Sequence, residues 1–157
     1  MEGEKEKKVK EEDMKGEPTQ AEEKVNDEQL NQIQIDDKKK AKLLKTLQGY
    51  KVKVPALLMS IKSLTALLKA GIPLSETIET ISEQSSDPKL NKIYGYISSE
   101  VKKGVSLASA MDQFPKVFPK TISSVVEAGE KGGSLEKNLK FVSESIQKEW
   151  ETNKKLK

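Results

Sequence analysis

The 157-residue sequence contains no cysteine, no histidine and no arginine, so all 28 of its basic residues are lysine. Without cysteine there is no disulfide framework, no thiolate nucleophile and no sulfur-ligated metal. The absence of histidine removes imidazole acid–base and metal chemistry, and the absence of arginine removes bidentate guanidinium recognition of phosphate or guanine. Most enzyme classes go with them, and the lack of cysteine fits a reducing compartment. Long apolar runs are missing too. No stretch approaches the roughly 18 apolar residues that cross a bilayer, and the acidic, polar N-terminus lacks the apolar centre of a signal peptide, so the chain as given reads as soluble.

What is present is unevenly spread. The hydrophobic fraction of 34% and the mean hydropathy of -0.65 are low for a globular domain. Residues 1–40 carry 9 lysines against 13 acidic residues, a net of −4, whereas 41–157 carry 19 against 12, a net of +7. Residues 1–37 have almost no clustered apolar groups, and such a composition buries too little surface to offset the entropy of ordering. We read residues 1–50 as a disordered or weakly helical charged tail and 51–157 as one helical domain. Within the tail, Ile33 and Ile35 alternate as in a short strand or docking contact, although a solvated segment explains them more simply. Asp37 to Gln48 can form a short amphipathic helix through Ala41, Leu43, Leu44 and Leu47, stopped by Gly49.

From Pro55, the apolar residues Leu57, Ile61, Leu64 and Leu68 recur at spacings of 4, 3 and 4, which predicts a helix over 55–70 closed by Gly71. Leu74, Ile78 and Ile81 give a shorter helix from about Pro73 to the polar turn Gln84-Ser85-Ser86. Asp87 then caps a third helix with Pro88 in its first turn, carrying Leu90, Ile93, Ile97 and Val101 inward until Gly104. Ser106 caps a fourth, Leu107 to about Gln113, ended by Phe114-Pro115. The fifth starts at Pro119 with Ile122, Val125 and Val126 on one face. Gly132-Gly133 end it, and Ser134 opens a sixth with Leu135, Leu139, Val142, Ile146 and Trp150 on one side. The expected architecture is therefore an all-α, six-helix antiparallel bundle. One corner is used three times: Gly71-Ile72-Pro73-Leu74, Gly104-Val105-Ser106-Leu107 and Gly133-Ser134-Leu135 each stop a helix at glycine and restart it with leucine pointing inward.

The strings LTALLKAGIPLSETI, EVKKGVSLASAM, the Phe118-Pro119 pair and VVEAGEKGGSLEKNL, followed by a long final helix, resemble the cytoplasmic F domain of the GspF/PilC family, the inner-membrane platform proteins of type II secretion systems and type IV pili. The resemblance covers about residues 52–157. It implies a six-helix domain on the cytoplasmic face of the inner membrane, assembling as a homodimer or higher oligomer. It also implies contact with the assembly ATPase and other inner-membrane secretion or pilus components. Its motif residues here are Gly71, Pro73, Gly104, Phe118, Pro119, Gly129, Gly133 and Leu135. The sequence departs from the family by holding one domain copy and by stopping at Lys157, where family members continue into a transmembrane helix. On that comparison it reads as a soluble piece whose membrane segments lie outside it. A helix from Ser134 to Leu156 is about 35 Å long at 1.5 Å per residue, and Trp150 followed by Lys154, Lys155 and Lys157 suits a juxtamembrane end.

No residues suggest catalysis, a cofactor or a metal centre. Glu127 and Glu130 lie three apart on the fifth helix, so both can face one way and receive a partner's cations or a divalent ion. Two carboxylates make no site alone, and a structural role for Glu130, satisfying backbone amides at the hairpin or capping the sixth helix, is the simpler reading. Trp150 is the third candidate for partner binding. The three glycines Gly129, Gly132 and Gly133 lack the preceding strand and the GxxxxGK[ST] spacing of a phosphate loop. Phe114 and Phe118 read as core plugs rather than a binding patch. From a different class, a free-standing helical adaptor or a helix-turn-helix nucleic-acid-binding module around Ser106–Met111 is the alternative, but that helix offers serine and alanine where base edges need longer polar side chains. We therefore expect no nucleic acid among the partners.

Overall fold

The computed structural model describes residues 36–156, with the side chains of 155 and 156 left aside. The tail reading over residues 1–35, including Ile33 and Ile35, falls outside the described residues, as does Lys157. Among the described residues the chain is all-helical, with seven helices and no strand. The helix α1 spans 36–48 and is followed by α2 (Val54–Lys69), α3 (Leu74–Gln84), α4 (Pro88–Lys102), α5 (Leu107–Met111), α6 (Lys120–Gly132) and α7 (Leu135–Leu156). The chain divides into two compact units, Met1–Lys42 and Leu43–Lys157, with α1 running through the division.

The punctuation of the sequence sets the helix ends. Asp87 caps α4 by accepting from the Lys89 and Leu90 N–H groups, with Pro88 in the first turn. Pro73 and Pro119 occupy the cap positions immediately before α3 and α6, each with an extended ψ that lets the chain enter the helix at the following residue. Gly71, Gly104 and Gly133 all have positive φ, at 86°, 97° and 71°. At each, the N–H of the next residue reaches back to the carbonyl five residues earlier: Ile72 to Leu67 at 3.2 Å, Val105 to Glu100 at 3.1 Å and Ser134 to Gly129 at 2.9 Å. This is the bond that closes a helix on a left-handed residue, so the threefold repeat in the sequence is one backbone device used three times.

The apolar stripes converge on one core. Leu57, Ile61 and Leu64 of α2, Ile78 and Ile81 of α3, and Leu90, Ile93 and Ile97 of α4 are buried, together with Leu107 and Met111 of α5, Val126 of α6, and Leu139 and Val142 of α7. The loop between α5 and α6 contributes Phe114, Val117 and Phe118, all buried. Phe118 meets Tyr94 edge to face with centroids 6.0 Å apart, and Phe114 meets Tyr96 in the same way at 5.6 Å. Tyr94 is fully buried and its hydroxyl lies 2.8 Å from that of Ser60, which donates to the Leu57 carbonyl at 2.6 Å. That chain satisfies the one polar atom of the ring, and burial pushes the Tyr94 phenol well above its usual range despite the hydrogen bond to Ser60.

Helix α7 packs against both α2 and α6, while α3 packs on α4 and α5 joins α4 to α6. Residues 43–48 of α1 also belong to this unit: Leu47 is 1% exposed in the core, and the Gln48 side-chain amide donates to the Gln113 carbonyl at 2.9 Å. Among the described residues, no helix is long and apolar enough to cross a membrane.

Candidate functional site

Of the motif residues, Phe118, Pro119, Gly129, Gly133 and Leu135 lie around α6 and the start of α7, Gly104 stands just before α5, and Gly71 and Pro73 form the separate corner between α2 and α3. Helix α5 has only five residues, too short to stand by itself, and its first N–H groups must find acceptors outside the helix. Ser106 supplies one, accepting from the Ser109 N–H at 3.1 Å. The other two go to Glu130 of α6. One carboxylate oxygen accepts from the Leu107 N–H at 2.9 Å and the other from the Ala108 N–H at 2.8 Å. The Ala110 N–H closes the first helical bond on the Ser106 carbonyl at 3.0 Å, so every amide of the opening turn has a partner. Glu130 thus serves backbone amides, but those of α5, 22 and 23 residues earlier, rather than those of the adjoining hairpin or of the last helix.

Next to it, Gly129 lets α6 and α7 cross at close range. A Cβ placed there would lie 2.9 Å from the Leu135 Cα and 3.0 Å from the Asn138 Cβ. At the same crossing, the Asn138 side-chain amide donates to the Val125 carbonyl at 2.9 Å. The sequence EAGEKGGSLEKN therefore has four structural jobs in order: Gly129 admits the neighbouring helix, Glu130 grips α5, Gly133 turns the chain, and Leu135 with Asn138 close the crossing. Periodicity does not mark Asn138, because its role depends on the glycine facing it from the other helix.

Glu127 goes elsewhere. It is exposed and pairs with Lys131 one turn on at 2.9 Å, and that ammonium holds its carboxyl below the usual range. The two glutamates are three apart yet engaged with different groups. Among the described residues no cluster of three or more potential metal ligands comes together. Trp150 is 37% exposed and, with Val52, Val54 and Ile122, lines an open groove of about 230 Å³ at the far end of α7. A second groove of about 320 Å³ continues along α6 and α7 past Ile122 and Val125 to Phe141, which is 58% exposed. Phe118 is buried in the core, and Pro119 lies on the rim of both grooves. Four of the five side chains of α5 (Leu107, Ala108, Ala110 and Met111) are buried, so that helix presents only Ser109 outward and has no means of reading base edges.

Residues 60–157 match the family model for type II secretion system (T2SS), protein F. The chain is similar to the type II secretion system protein F of Vibrio cholerae, 28% identical over 105 residues that make up 67% of this chain and 26% of that protein. It is also similar to the type II secretion system protein F of Aeromonas hydrophila, at 33% over 95 residues covering 60% and 24%. The type IV pilus assembly protein PilC of Pseudomonas aeruginosa matches at 32% over 95 residues, covering 60% and 25%. The chain spans about a quarter of the length of the curated relatives it matches. With the family model covering more than half of the chain, this protein belongs to the type II secretion system protein F family, which it shares with the PilC proteins of type IV pili.

Proposed function

We propose that this chain is a cytoplasmic scaffold domain of an inner-membrane platform that couples an assembly ATPase to the growth of a pilus or pseudopilus. The observation that carries the reading is the family match over residues 60–157. The six helices from Val54 to Leu156 act as the family's antiparallel bundle, and the domain performs no catalysis of its own. Its task is mechanical: a block of short helices tied at shared corners passes displacement to α7, whose C-terminal end faces the membrane. Glu127 and Trp150 are exposed enough to meet a partner, whereas the carboxylate of Glu130 is already occupied by α5. The domain works as a homodimer or higher oligomer beside other inner-membrane components of its system.

The test is capture of the cognate assembly ATPase on the immobilised 157-residue chain. The wild type is expected to retain the ATPase, and Glu127→Lys or Trp150→Ala to reduce retention at least tenfold with no change in helical content. Retention unaffected by Glu127→Lys removes that residue from the interface. No retention by the wild type overturns the coupling reading.

A further inference from the structure

We propose that the groove between α2 and α7 is a docking site for an acidic segment of a partner protein. Lys62 and Lys69 from α2 and Lys137 and Lys140 from α7 line one open groove of about 610 Å³, together with Glu136 and Glu144. All four lysines are exposed, and among the described residues none is paired with a carboxylate. Three other lysines of the unit do have carboxylate partners. Lys102 pairs with Glu79 and Lys120 with Asp112, both at 3.2 Å, and Lys131 pairs with Glu127 at 2.9 Å. Like charges left together without counter-charges raise the local potential and favour an anionic occupant. The excess is written into the sequence: residues 43–75 contain five lysines and not one aspartate or glutamate. Of the two glutamates in the groove, Glu136 sits in the first turn of α7, where the helix dipole already favours it.

The spacing selects the kind of anion. Lys62 and Lys69 are two turns apart, about 10.5 Å along α2 at 1.5 Å per residue, and the α7 pair faces the same groove. Charge spread over that length fits several carboxylates in a chain better than a single small anion. Thr65 and Ala66 of α2 also line the groove, small enough for a peptide backbone to lie close to that helix. Lysines act as point charges without the fixed fork of arginine, so the groove reads acidity and not a particular side-chain geometry.

A lipid surface is the rival source of negative charge, and position argues against it. This step rests on the reading above, in which the C-terminal end of α7 faces the membrane. Lys140 then lies about 24 Å from that end at 1.5 Å per residue, several times the Debye length of about 8 Å at physiological salt. Headgroup attraction is screened out over that distance.

The experiment measures binding of a fluorescently labelled poly-glutamate peptide and of phosphatidylglycerol vesicles to the 157-residue chain at low and physiological salt. One variant changes the four groove lysines to glutamine, a second changes them to arginine, and a third changes Lys45, Lys51, Lys53 and Lys92, all exposed and outside the groove, to glutamine. The expected result is salt-dependent binding of the peptide to the wild type, lost at least tenfold in the groove glutamine variant and kept in the arginine and outside variants. Equal loss in the groove and outside glutamine variants overturns the site, because net charge alone then explains binding. Vesicle binding that depends on the four groove lysines also overturns it, in favour of lipid. ATPase capture separates this inference from the functional reading: capture by the wild type and undiminished in the groove variant defeats the groove alone, whereas peptide binding without any ATPase capture keeps the groove and defeats the coupling.

Discussion

Gly95 and Gly129 are both helical glycines, and their surroundings give opposite expectations for the same substitution. Nothing lies within 4 Å of a Cβ at Gly95, so Gly95→Ala is expected to stabilise by about 0.5–1 kcal/mol through the lost backbone freedom of the unfolded chain. At Gly129 the new methyl meets the Leu135 backbone at 2.9 Å, and Gly129→Ala is expected to cost about 1–3 kcal/mol as α6 and α7 are forced apart. Urea unfolding of the two variants beside the wild type checks both signs. Glu130 is the second residue on which the junction turns. Its carboxylate makes two charge-assisted bonds to amides, so Glu130→Ala is expected to lose about 1–3 kcal/mol, and Glu130→Gln, which keeps one acceptor, less. At Asp112, a hydrogen bond from the Ser123 hydroxyl, seconded by Lys120, holds the carboxyl below its usual range. A folded-state pKa below the unfolded value means a contribution present above the ordinary carboxylate range and lost as pH falls through it towards the lower folded value. Asp112→Asn is therefore expected to flatten the fall in thermal midpoint between neutral pH and the acid range, measured by scanning calorimetry.

At the scale of elements, the parts readable from sequence are those governed by chemistry within a few residues. The three glycine corners, the Asp87-Pro88 start and the Ser106 cap all act inside one turn, and the helix ends expected from them lie within a residue or two of those observed. Gly133 has φ +71°, a conformation that an L side chain adopts at a cost of about 1–2 kcal/mol, so Gly133→Ala is expected to lower stability by that amount even though space is open around it. Denaturant titration of that variant gives the value directly. What periodicity does not reveal is depth and partner. Ile122 and Val125 share the apolar stripe of α6 with Val126, yet only Val126 is fully buried, and the other two line the groove beside Phe141. Tyr94 carries no marker of full burial, because the atom that licenses it, the Ser60 hydroxyl, lies 34 residues away. Glu130 has the same character: its type and position suggest amide binding, but the amides belong to a helix reached only through tertiary packing. Leu47 likewise enters the core from α1, a helix legible from its leucines but with nothing local to say which unit it packs on.

For the whole molecule, two stretches far apart in the sequence are two sides of one contact. Glu130, in the stretch that closes α6, holds the first amides of α5, in the stretch that follows the Gly104 corner, while Gly129 seats α6 against α7. A block tied in this way fits the proposed mechanical role, and its rigidity depends on the junction unfolding with the core and not ahead of it. On the proposed reading, the exposed features left over, the apolar groove from Trp150 to Phe141 and the lysine groove between α2 and α7, are the surfaces through which such a block meets its neighbours. The most direct test of the central claim is native-state hydrogen exchange at the Leu107 and Ala108 amides, followed by NMR in the wild type and in Glu130→Gln. If Glu130 ties α5 into the block, both amides exchange in the wild type only with global unfolding and become at least tenfold faster in the variant, while core amides such as Ile93 change only by the loss of overall stability. Fast exchange at Leu107 and Ala108 in the wild type, or rates that Glu130→Gln leaves unchanged, would contradict the account.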